Sequence, residues 1–482
     1  MWRRVALLVF FLTPVANAPH AFALDPAGTT TGGVSQGATA PAAAPTAPPK
    51  PEIGPYGRLS GSLTSEYDYD RELGQGTTDP LQRRLTEILD LRWRERSTGG
   101  LQLRFSGLYA RNIERPEDDR YRLAKLYGEW QDTGLRFDVR LGRQPASGNT
   151  LFSRFDGLTL GYRFLKPIGI NISGGYPVAA FQRNDVKLQK DDWFYETDLV
   201  LNDLWRLWGR LFYTEEATQG VIRRRAAGLN GYWAGEFVTA TSVVDYDLEF
   251  KALNNGFLGF EVNRAPLRYA AAIERRRNPF LDLRDALLNP TLISVNPAVT
   301  PWDDLWRSKT RDQIKELALD STFNTLDYRL GVSADLSSVW SANLRYDHTI
   351  GDALTFEGNR QAQISNEYSA FVTERNGLGV SDLASVLGLY QIGTDGHSTL
   401  ALTTLSKYWA NGLQAGLRLR WNSVRFRVSD VTTTRLTPGA VISYTLTHGA
   451  YLAVEADYEI PLGSGPMDRR TLRTRSVISI PF

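Results

Sequence analysis

Arginine is the residue type in this sequence whose placement most clearly points to chemistry. Many arginines alternate with apolar residues, as Arg136 and Arg140 do within Leu135–Leu141. A guanidinium is permanently charged and binds carboxylates or phosphates through paired hydrogen bonds. Rings of such groups on a pore wall select anions. We therefore predict a water-filled solute path lined by Arg104, Arg136, Arg140, Arg163, Arg206, Arg210, Arg268, Arg345, Arg418, Arg420, Arg473 and Arg475.

The same arginines have an alternative role, which is to hold a wall together by pairing with carboxylates on the same face. Asp138, Asp327, Asp335 and Asp347 are placed for such pairing. The chain has 55 Lys and Arg residues against 53 Asp and Glu residues, a net charge of +2. This balance favours pairing over a free basic surface, and it gives no indication of a nucleic-acid partner.

Catalytic chemistry has little support in the sequence. Many lipases and proteases need a histidine paired with a nucleophile or a carboxylate. The best local pairings are Asp347 with His348 and the run Asp395-Gly-His397-Ser398, and the four histidines are His20, His348, His397 and His448. There is no G-x-S-x-G motif, phosphate loop or dinucleotide fingerprint, and with 0 Cys there is no thiolate site. We predict no enzyme, no metal and no cofactor, and keep a lipase-type or protease-type enzyme as an alternative.

The elements that would position the arginines are β-strands. In Leu413–Trp421, Leu417 and Leu419 fall on one face, and Arg418 and Arg420 fall on the other. A helix would instead need apolar residues at every third or fourth position. Because charged residues stand directly between apolar ones, one face of each strand must be in contact with water.

The length of these runs favours a membrane barrel over a soluble sandwich. Leu413–Trp421 alternates over its whole length, and membrane-spanning strands need about nine to eleven residues, against about five or six in soluble sheets. Trp93, Tyr109 and Trp421 end apolar faces, as aromatic residues do at both membrane interfaces. The mean hydropathy of −0.30 agrees, because polar lumen-facing residues offset the lipid-facing ones.

We therefore predict an all-β fold: a single transmembrane antiparallel β-barrel that occupies residues 56–482. Bacterial barrels have even strand numbers, and we expect about 18 strands, with 16 to 22 allowed. Asn278–Arg311 is predicted to be a long outer loop with short helical pieces. Pro145–Gly157 and Gly351–Gln363 are predicted to be further loops, either of which could fold inward and narrow the pore.

The N-terminus indicates export. A basic start, Met1–Arg4, precedes the apolar run Val5–Leu12, which is too short to cross a bilayer. Cleavage after Ala23 follows an A-x-A site, so we predict a signal peptide over residues 1–23. Residues 24–55 are rich in Pro, Ala, Thr and Gly and are predicted to be a disordered periplasmic spacer.

The C-terminus carries a predicted assembly signal. The chain ends on Phe482, with Ile480 and Ile478 at alternate positions before it. This pattern resembles the last strand of outer-membrane barrels, which the barrel-assembly machinery binds. Pro481 departs from the pattern, since proline lacks a backbone N–H and is tolerated only at edge or unpaired positions.

A broader family resemblance follows from three motifs. Leu141-Gly-Arg-Gln144, Phe152-Ser-Arg-Phe-Asp-Gly157 and the arginine triplet Arg223–Arg225 resemble segments of the barrels of polysaccharide-secretion proteins. The chain is also similar to alginate-type exporters and substrate-specific porins. The resemblance implies a porin-like or exopolysaccharide-export barrel in the outer membrane of a Gram-negative bacterium.

Together these features predict an outer-membrane channel or export conduit for hydrophilic, including anionic, solutes or oligosaccharides. Its partners would be outer-membrane lipid, the assembly machinery and the solute. A structural or adhesive barrel is a further alternative.

Overall fold

The computed structural model describes residues 57–73, 80–95, 100–132, 134–147, 150–178, 191–278, 281–283, 286, 301–354, 360–377, 379, 382–394, 396–427, 431–446, 449–463 and 469–482. The predicted signal peptide (1–23), the predicted spacer (24–55) and Tyr56, the predicted first barrel residue, lie outside these residues and stay predictions.

The described chain is built almost entirely of β-strands. Its 22 strands are β1 Arg58–Leu73, β2 Pro80–Arg94, β3 Leu101–Asn112, β4 Arg120–Asp132, β5 Phe137–Pro145, β6 Arg154–Leu165, β7 Ile168–Pro177, β8 Asp192–Leu204, β9 Leu207–Thr218, β10 Val221–Ala234, β11 Val238–Asp247, β12 Ala252–Arg264, β13 Leu267–Asn278, β14 Phe323–Asp335, β15 Trp340–Leu354, β16 Arg360–Arg375, β17 Asp382–Gly393, β18 Gly396–Tyr408, β19 Leu413–Phe426, β20 Val431–Thr445, β21 Tyr451–Pro461 and β22 Arg470–Pro481. The described helices are a 3₁₀ turn at Pro116–Asp118, α1 Pro301–Ser308 and α2 Arg311–Ser321.

The sheet closes between its first and last strands. Each strand pairs antiparallel with the next along the chain, and β22 pairs antiparallel with β1. The C-terminal Phe482 extends this seam: its N–H donates to the carbonyl of Gly61 at 3.0 Å, and the Gly61 N–H donates back at 2.8 Å. Closure leaves no unpaired sheet edge, which is what a sheet needs in order to stand in hydrocarbon.

The predicted number of about 18 strands was wrong, and 22 is the upper limit of the predicted range. The physical reason is the tightness of some turns. Trp205–Arg206 alone joins β8 to β9, with φ of 54° and 64°. Two positive φ angles are typical of the type I′ hairpin turn, which Asn-Gly usually marks. Trp-Arg gives no such signal, so the chain folds into more hairpins than the sequence indicates.

Side-chain exposure follows the predicted alternation. On the outer face of β19, Leu417 is 64% exposed and Leu419 is 47% exposed, and the arginines between and after them lie on the inner face. The predicted run Leu135–Leu141 needs correction, because the strand begins only at Phe137. Arg136 has a φ of 56°, which no strand accommodates, so Leu135 and Arg136 belong to the turn before β5.

Aromatic side chains ring the outer face near both ends of the strands. Near the end that carries Phe482, the outer face presents Trp93, Trp130, Trp233 and Trp340. Near the opposite end, it presents Tyr109, Tyr121, Tyr195 and Tyr246. The rings of Tyr109 and Tyr121 stack across β3 and β4 with centroids 5.4 Å apart. Such belts are typical of barrels whose apolar band lies between two aqueous phases.

The connections differ at the two ends of the barrel. At the end near Phe482 the turns include the two-residue link between β8 and β9, whereas the connection from Asn278 to Phe323 at the opposite end contains α1 and α2. This places helical pieces within the predicted outer loop Asn278–Arg311 and just beyond it. None of the described helices is long and apolar enough to cross a membrane.

Candidate functional site

Ten of the twelve predicted path arginines lie in strands, on the face opposite the apolar side chains: Arg104, Arg140, Arg163, Arg210, Arg268, Arg345, Arg418, Arg420, Arg473 and Arg475. Arg136 and Arg206 do not, which corrects their predicted positions. Both have a positive φ and lie in exposed turns at the end near Phe482. Arg136 donates to the carbonyl of Phe164 at 3.4 Å, so it contacts the rim of the barrel.

Most of the strand arginines are paired with carboxylates. Arg345 donates to both oxygens of Asp347, at 2.6 and 2.8 Å, and Arg418 does the same to Asp457, at 2.7 and 2.5 Å. The other ion pairs, with their closest N–O distances, are Arg140–Glu129 at 3.0 Å, Arg210–Asp198 at 3.6 Å, Arg268–Asp335 at 3.6 Å, Arg473–Glu459 at 3.8 Å and Arg475–Glu66 at 2.6 Å. Five of these seven contacts join neighbouring strands, Arg418–Asp457 reaches from β19 to β21, and Arg345–Asp347 lies within β15.

A basic patch on the inner face of the first three strands lacks such partners. It consists of Arg58, Arg92, Arg94 and Arg104. In the sheet register Arg92 lies directly opposite Arg104, and Arg58 lies opposite Arg94. None of the four has an ion pair within 4 Å among the described residues, and Arg92 donates to Gln102 at 3.0 Å. Like charges opposite each other destabilise a sheet, so the patch is an arrangement that an anion would stabilise.

Sequence reasoning found only Arg104 of this patch. Apolar and polar residues also alternate over Leu85–Trp93, which places Arg92 on the inner face, so the same argument could have found that residue. Arg163 and Arg420 are two further predicted strand arginines without an ion pair among the described residues, and both residues are exposed.

One inward-folding segment is the connection between β5 and β6. It spans residues 146–153, within the predicted loop Pro145–Gly157. Ser147 donates from Oγ to Glu196 at 2.5 Å, and its carbonyl accepts from Arg210 at 2.7 Å. Since Glu196 and Arg210 are inner-face residues of β8 and β9, this connection covers part of the lumen wall. The other predicted loop, Gly351–Gln363, is a correction: β15 continues to Leu354 and β16 begins at Arg360.

The Leu141–Gln144 and Phe152–Gly157 motifs hold this segment in place. Arg143 and Asp156 form a two-point ion pair at 2.7 and 2.6 Å, and Arg143 is buried. Gln144 is fully buried; its amide nitrogen donates to the carbonyl of Gly157 at 3.1 Å. Gly142 has a φ of 120°, and a Cβ there would fall on the carbonyl of Leu126. The motifs therefore build a tightly packed hairpin.

Aromatic packing completes the anchor of the same segment. The rings of Phe152 and Phe155 both contact the ring of Phe194 on β8, with centroids 4.6 and 4.7 Å apart. All three side chains are buried. Edge-to-face contacts of this kind add about 0.5–1.5 kcal/mol each beyond burial.

A second packed segment comes from the connection between β13 and β14. Leu281, Leu283 and Ile314 are completely buried against Phe250 and Leu305. Arg311 and Lys315 of α2 donate to Glu249, in the turn after β11, at 3.1 and 2.6 Å. Burial by itself would raise the pKa of the Glu249 carboxyl, but the Lys315 hydrogen bond and the Arg311 charge lower it below its usual range.

Arg224 connects the two segments. Its side chain is fully buried on the inner face of β10 and lies 3.5 Å from Glu216 and 2.5 Å from Asp245. Glu216 accepts at 3.0 Å from the backbone N–H of Leu151, a residue of the first segment. Asp245 accepts from the side-chain nitrogen of Asn254 at 3.3 Å. The side-chain oxygen of Asn254 in turn accepts at 3.1 Å from the backbone N–H of Leu281, a residue of the second segment.

The three arginines of the triplet thus make three different contacts. Arg223 donates from Nε to Asp282 at 2.9 Å and fixes the second segment, and Arg224 joins both segments to the wall. Arg225 lies on the outer face and pairs with Glu215 at 2.7 Å. The packed segments cover the wall around β8 to β12. Among the described residues no comparable segment covers β15 to β22 or β1 to β3.

The predicted pairing of Asp347 with His348 does not form, and Asp395 of the other predicted pairing lies outside the described residues. Asp347 lies on the inner face of β15 and binds Arg345, whereas His348 lies on the outer face, between Tyr328 and Tyr346. His348 Nδ1 is 2.8 Å from the side-chain oxygen of Asn366. Within the described ranges, no group of three or more His, Cys, Asp or Glu residues is placed to hold a metal ion.

Comparisons with known proteins find similarity at the level of solved structures. No protein-family model matches the chain, and no curated protein does. OccK2 (OpdF) of Pseudomonas aeruginosa is 11% identical, with 88% of this chain and 97% of that chain covered and a TM-score of 0.42. The structure of the same protein in complex with glucuronate is 13% identical, with 88% of this chain and 98% of that chain covered and a TM-score of 0.43.

A BenF-like porin from Pseudomonas fluorescens Pf-5 is 11% identical, with 88% of this chain and 98% of that chain covered and a TM-score of 0.42. At this identity and TM-score nothing about the site follows from these neighbours. The fold assignment depends on the structure of this chain alone. Its sheet is closed, apolar and polar side chains alternate between the two faces, and the outer surface is apolar between aromatic belts. The described residues form a closed antiparallel β-barrel with the outer-surface pattern that is typical of bacterial outer-membrane barrels.

Proposed function

We propose that the chain is an outer-membrane channel that conducts small hydrophilic anions through its lumen. The observation that carries the proposal is the opposed pair Arg92 and Arg104, two inward guanidinium groups without a carboxylate partner among the described residues. Two adjacent positive charges in a confined aqueous space raise the local concentration of anions.

The location of this pair supports a place on the solute path. Arg92 is the third residue from the end of β2, and Arg104 is the fourth residue of β3, so both lie near the barrel end that carries Phe482. In the proposed orientation this end faces the periplasm, because bacterial barrels have short periplasmic turns and longer outer loops. The patch would then line the periplasmic half of the channel.

The proposal also covers the export, the assembly and the lipid environment of the chain. Residues 1–23 would direct export, the assembly machinery would recognise the C-terminal strand, and lipid would surround the apolar band. Uptake or release of organic acids is consistent with the basic patch, because their carboxylates are the kind of anion that guanidinium groups bind. Export of a polysaccharide has no support beyond the motif resemblance, since those motifs pack a hairpin in this barrel.

A reversal-potential measurement tests the proposal. Purified full-length protein in a planar bilayer under a potassium chloride gradient should pass chloride in preference to potassium. The double variant Arg92→Gln with Arg104→Gln should reduce the permeability ratio toward one. Arg225→Gln removes one positive charge from the outer face and should leave the ratio unchanged. A wild-type channel that prefers cations, or shows no preference, would overturn the proposal.

A further inference from the structure

An apolar patch interrupts the polar inner face at mid-height of the barrel. It consists of Phe371 on β16, Leu387 and Leu389 on β17, and Leu400 and Leu402 on β18. In the sheet register Leu387 lies between Phe371 and Leu402, and Leu389 lies opposite Leu400. Directly opposed side chains in a sheet have Cβ atoms about 4.5–5.5 Å apart, so the five form one continuous surface. We call it the lumenal apolar patch.

The inward orientation of the patch follows from its neighbours on the same strands. Ser385, two residues before Leu387, has its hydroxyl 2.5 Å from that of Thr404 on β18. Gln391, two residues after Leu389, donates to Ser365 at 3.0 Å. These polar side chains share the inner face, whereas Val386 between them is 52% exposed on the outer face. Polar rows therefore border the patch above and below, and Phe371 is still 36% exposed.

A free guanidinium borders the patch on β19. Arg420 lies directly opposite Leu402, and Asn422 lies opposite Leu400. Two other inner-face arginines nearby are engaged, Arg418 by Asp457 and Arg435 by Glu459 at 2.6 Å. Arg420 has no ion pair or hydrogen bond from its side chain to any described residue, and it is exposed. The one unengaged cation of this group is thus the one that lies directly opposite a leucine of the patch.

We propose that the lumenal apolar patch and Arg420 form a binding site for anions with a compact apolar body, such as alkyl or aryl monocarboxylates. The guanidinium binds the carboxylate in a two-point contact, and the leucine side chains remove the hydrocarbon body from water. A sugar fits less well, because five apolar side chains offer its hydroxyl groups no hydrogen bonds. The inference rests on the proposed channel only in that the lumen must admit the solute.

The test uses a homologous series of probes on the purified full-length channel in planar bilayers. Acetate, butyrate and hexanoate are added, and the apparent Kd is read from concentration-dependent block of the chloride current. Each methylene group buried on the patch should tighten the apparent Kd about twofold to fourfold. Arg420→Gln should weaken hexanoate binding about tenfold or more.

The apolar contribution is tested separately. The double variant Leu389→Thr with Leu402→Thr should flatten the dependence on chain length and leave acetate binding nearly unchanged. Leu108→Thr alters another inner-face leucine, on β3 and away from the patch, and should behave as the wild type does. Heat-dependent migration on gels checks that each variant is a folded barrel.

The outcomes separate this inference from the proposed function. Equal apparent Kd values for acetate and hexanoate in an anion-selective channel would overturn the patch as a binding site and leave the channel proposal intact. Tight hexanoate binding that depends on Leu389 and Leu402, in a channel without anion preference, would overturn the channel proposal and keep the site. Full hexanoate affinity in Arg420→Gln would also overturn the inference.

Discussion

Arg224 donates from Nη2 to Oδ2 of Asp245 at 2.5 Å, and no part of the Arg224 residue is exposed. Glu216 and Asp247 lie within 3.5 and 3.9 Å of the same guanidinium. One buried cation thus faces three buried carboxylates. Glu216 also accepts a backbone N–H of the first inward-packed segment, and Asp245 is linked to the second through Asn254 of β12. The stability of the lumen wall on this side depends on that arrangement.

Replacing Arg224 with Gln should therefore be strongly destabilising. Removal of one member of a buried ion cluster leaves uncompensated charge and costs about 3–5 kcal/mol. Because Leu151 donates to Glu216, and Leu281 is linked to Asp245 through Asn254, both inward segments should loosen. We expect a lower midpoint in urea unfolding of the barrel in detergent, together with larger and noisier single-channel currents.

Arg225→Gln is the matched control for this change. Arg225 is the next residue along the chain, but it lies on the outer face, and its side chain is 37% exposed beside Glu215. Exposed ion pairs contribute about 0–1 kcal/mol. An equal loss of stability in the two variants would contradict the role assigned to the buried cluster.

Much of the barrel follows from the sequence because alternation is a local property. The faces of β19 could be assigned from Leu413–Trp421 alone, and Arg418 and Arg420 lie on the predicted face. The strand number could not be obtained in this way, because turns such as Trp205–Arg206 use ordinary residues at positive φ. Such turns depend on the pairing of the strands they join, which no short window of sequence contains.

The candidate site was less predictable for a related reason. A guanidinium looks the same in the sequence whether it is engaged or free. Arg418 and Arg420 differ only because Asp457, two strands away, reaches one and not the other. Likewise, the Arg223–Arg225 triplet resembles a single basic feature, whereas its members contact three different places. Long-range pairing decides these roles.

Gly142 should be required for folding of the hairpin between β5 and β6. Its φ of 120° disfavours any other residue, and a Cβ would collide with the carbonyl of Leu126. We expect Gly142→Ala to reduce the fraction of heat-modifiable, folded barrel severalfold. Gly388→Ala is the control, since a Cβ there meets no atom within 4 Å. Similar folded fractions for the two variants would show that the β4–β5 contact tolerates displacement.

Acid should weaken the docking of α2. The folded-state pKa of Glu249 is lowered, so its contribution is fully present above the unfolded carboxyl value of about 4.3 and is lost as the pH falls through the lower folded value. We expect current noise in the wild-type channel to rise below about pH 4. Glu249→Gln should show that noise already at pH 7 and change little with acid.

Glu236→Gln is the control for the acid effect. Glu236 is exposed in a turn at the opposite end of the barrel, so its variant should keep the wild-type pH profile. A profile that is identical in all three proteins would mean that α2 stays docked without the Glu249 contacts.

The C-terminal aromatic ring should matter for assembly in cells and not for the stability of the finished barrel. The Phe482 backbone closes the seam with Gly61, and those two hydrogen bonds do not depend on the side chain. The ring, like Ile478 and Ile480, lies on the outer face. We expect Phe482→Ala to lower the amount of folded barrel in cell envelopes severalfold while refolding in detergent stays close to normal. Ile442→Ala, an outer-face change on β20, should affect neither measurement strongly. If Phe482→Ala instead impaired detergent refolding as much as assembly in cells, the ring would act by packing at the seam and not as a recognition signal.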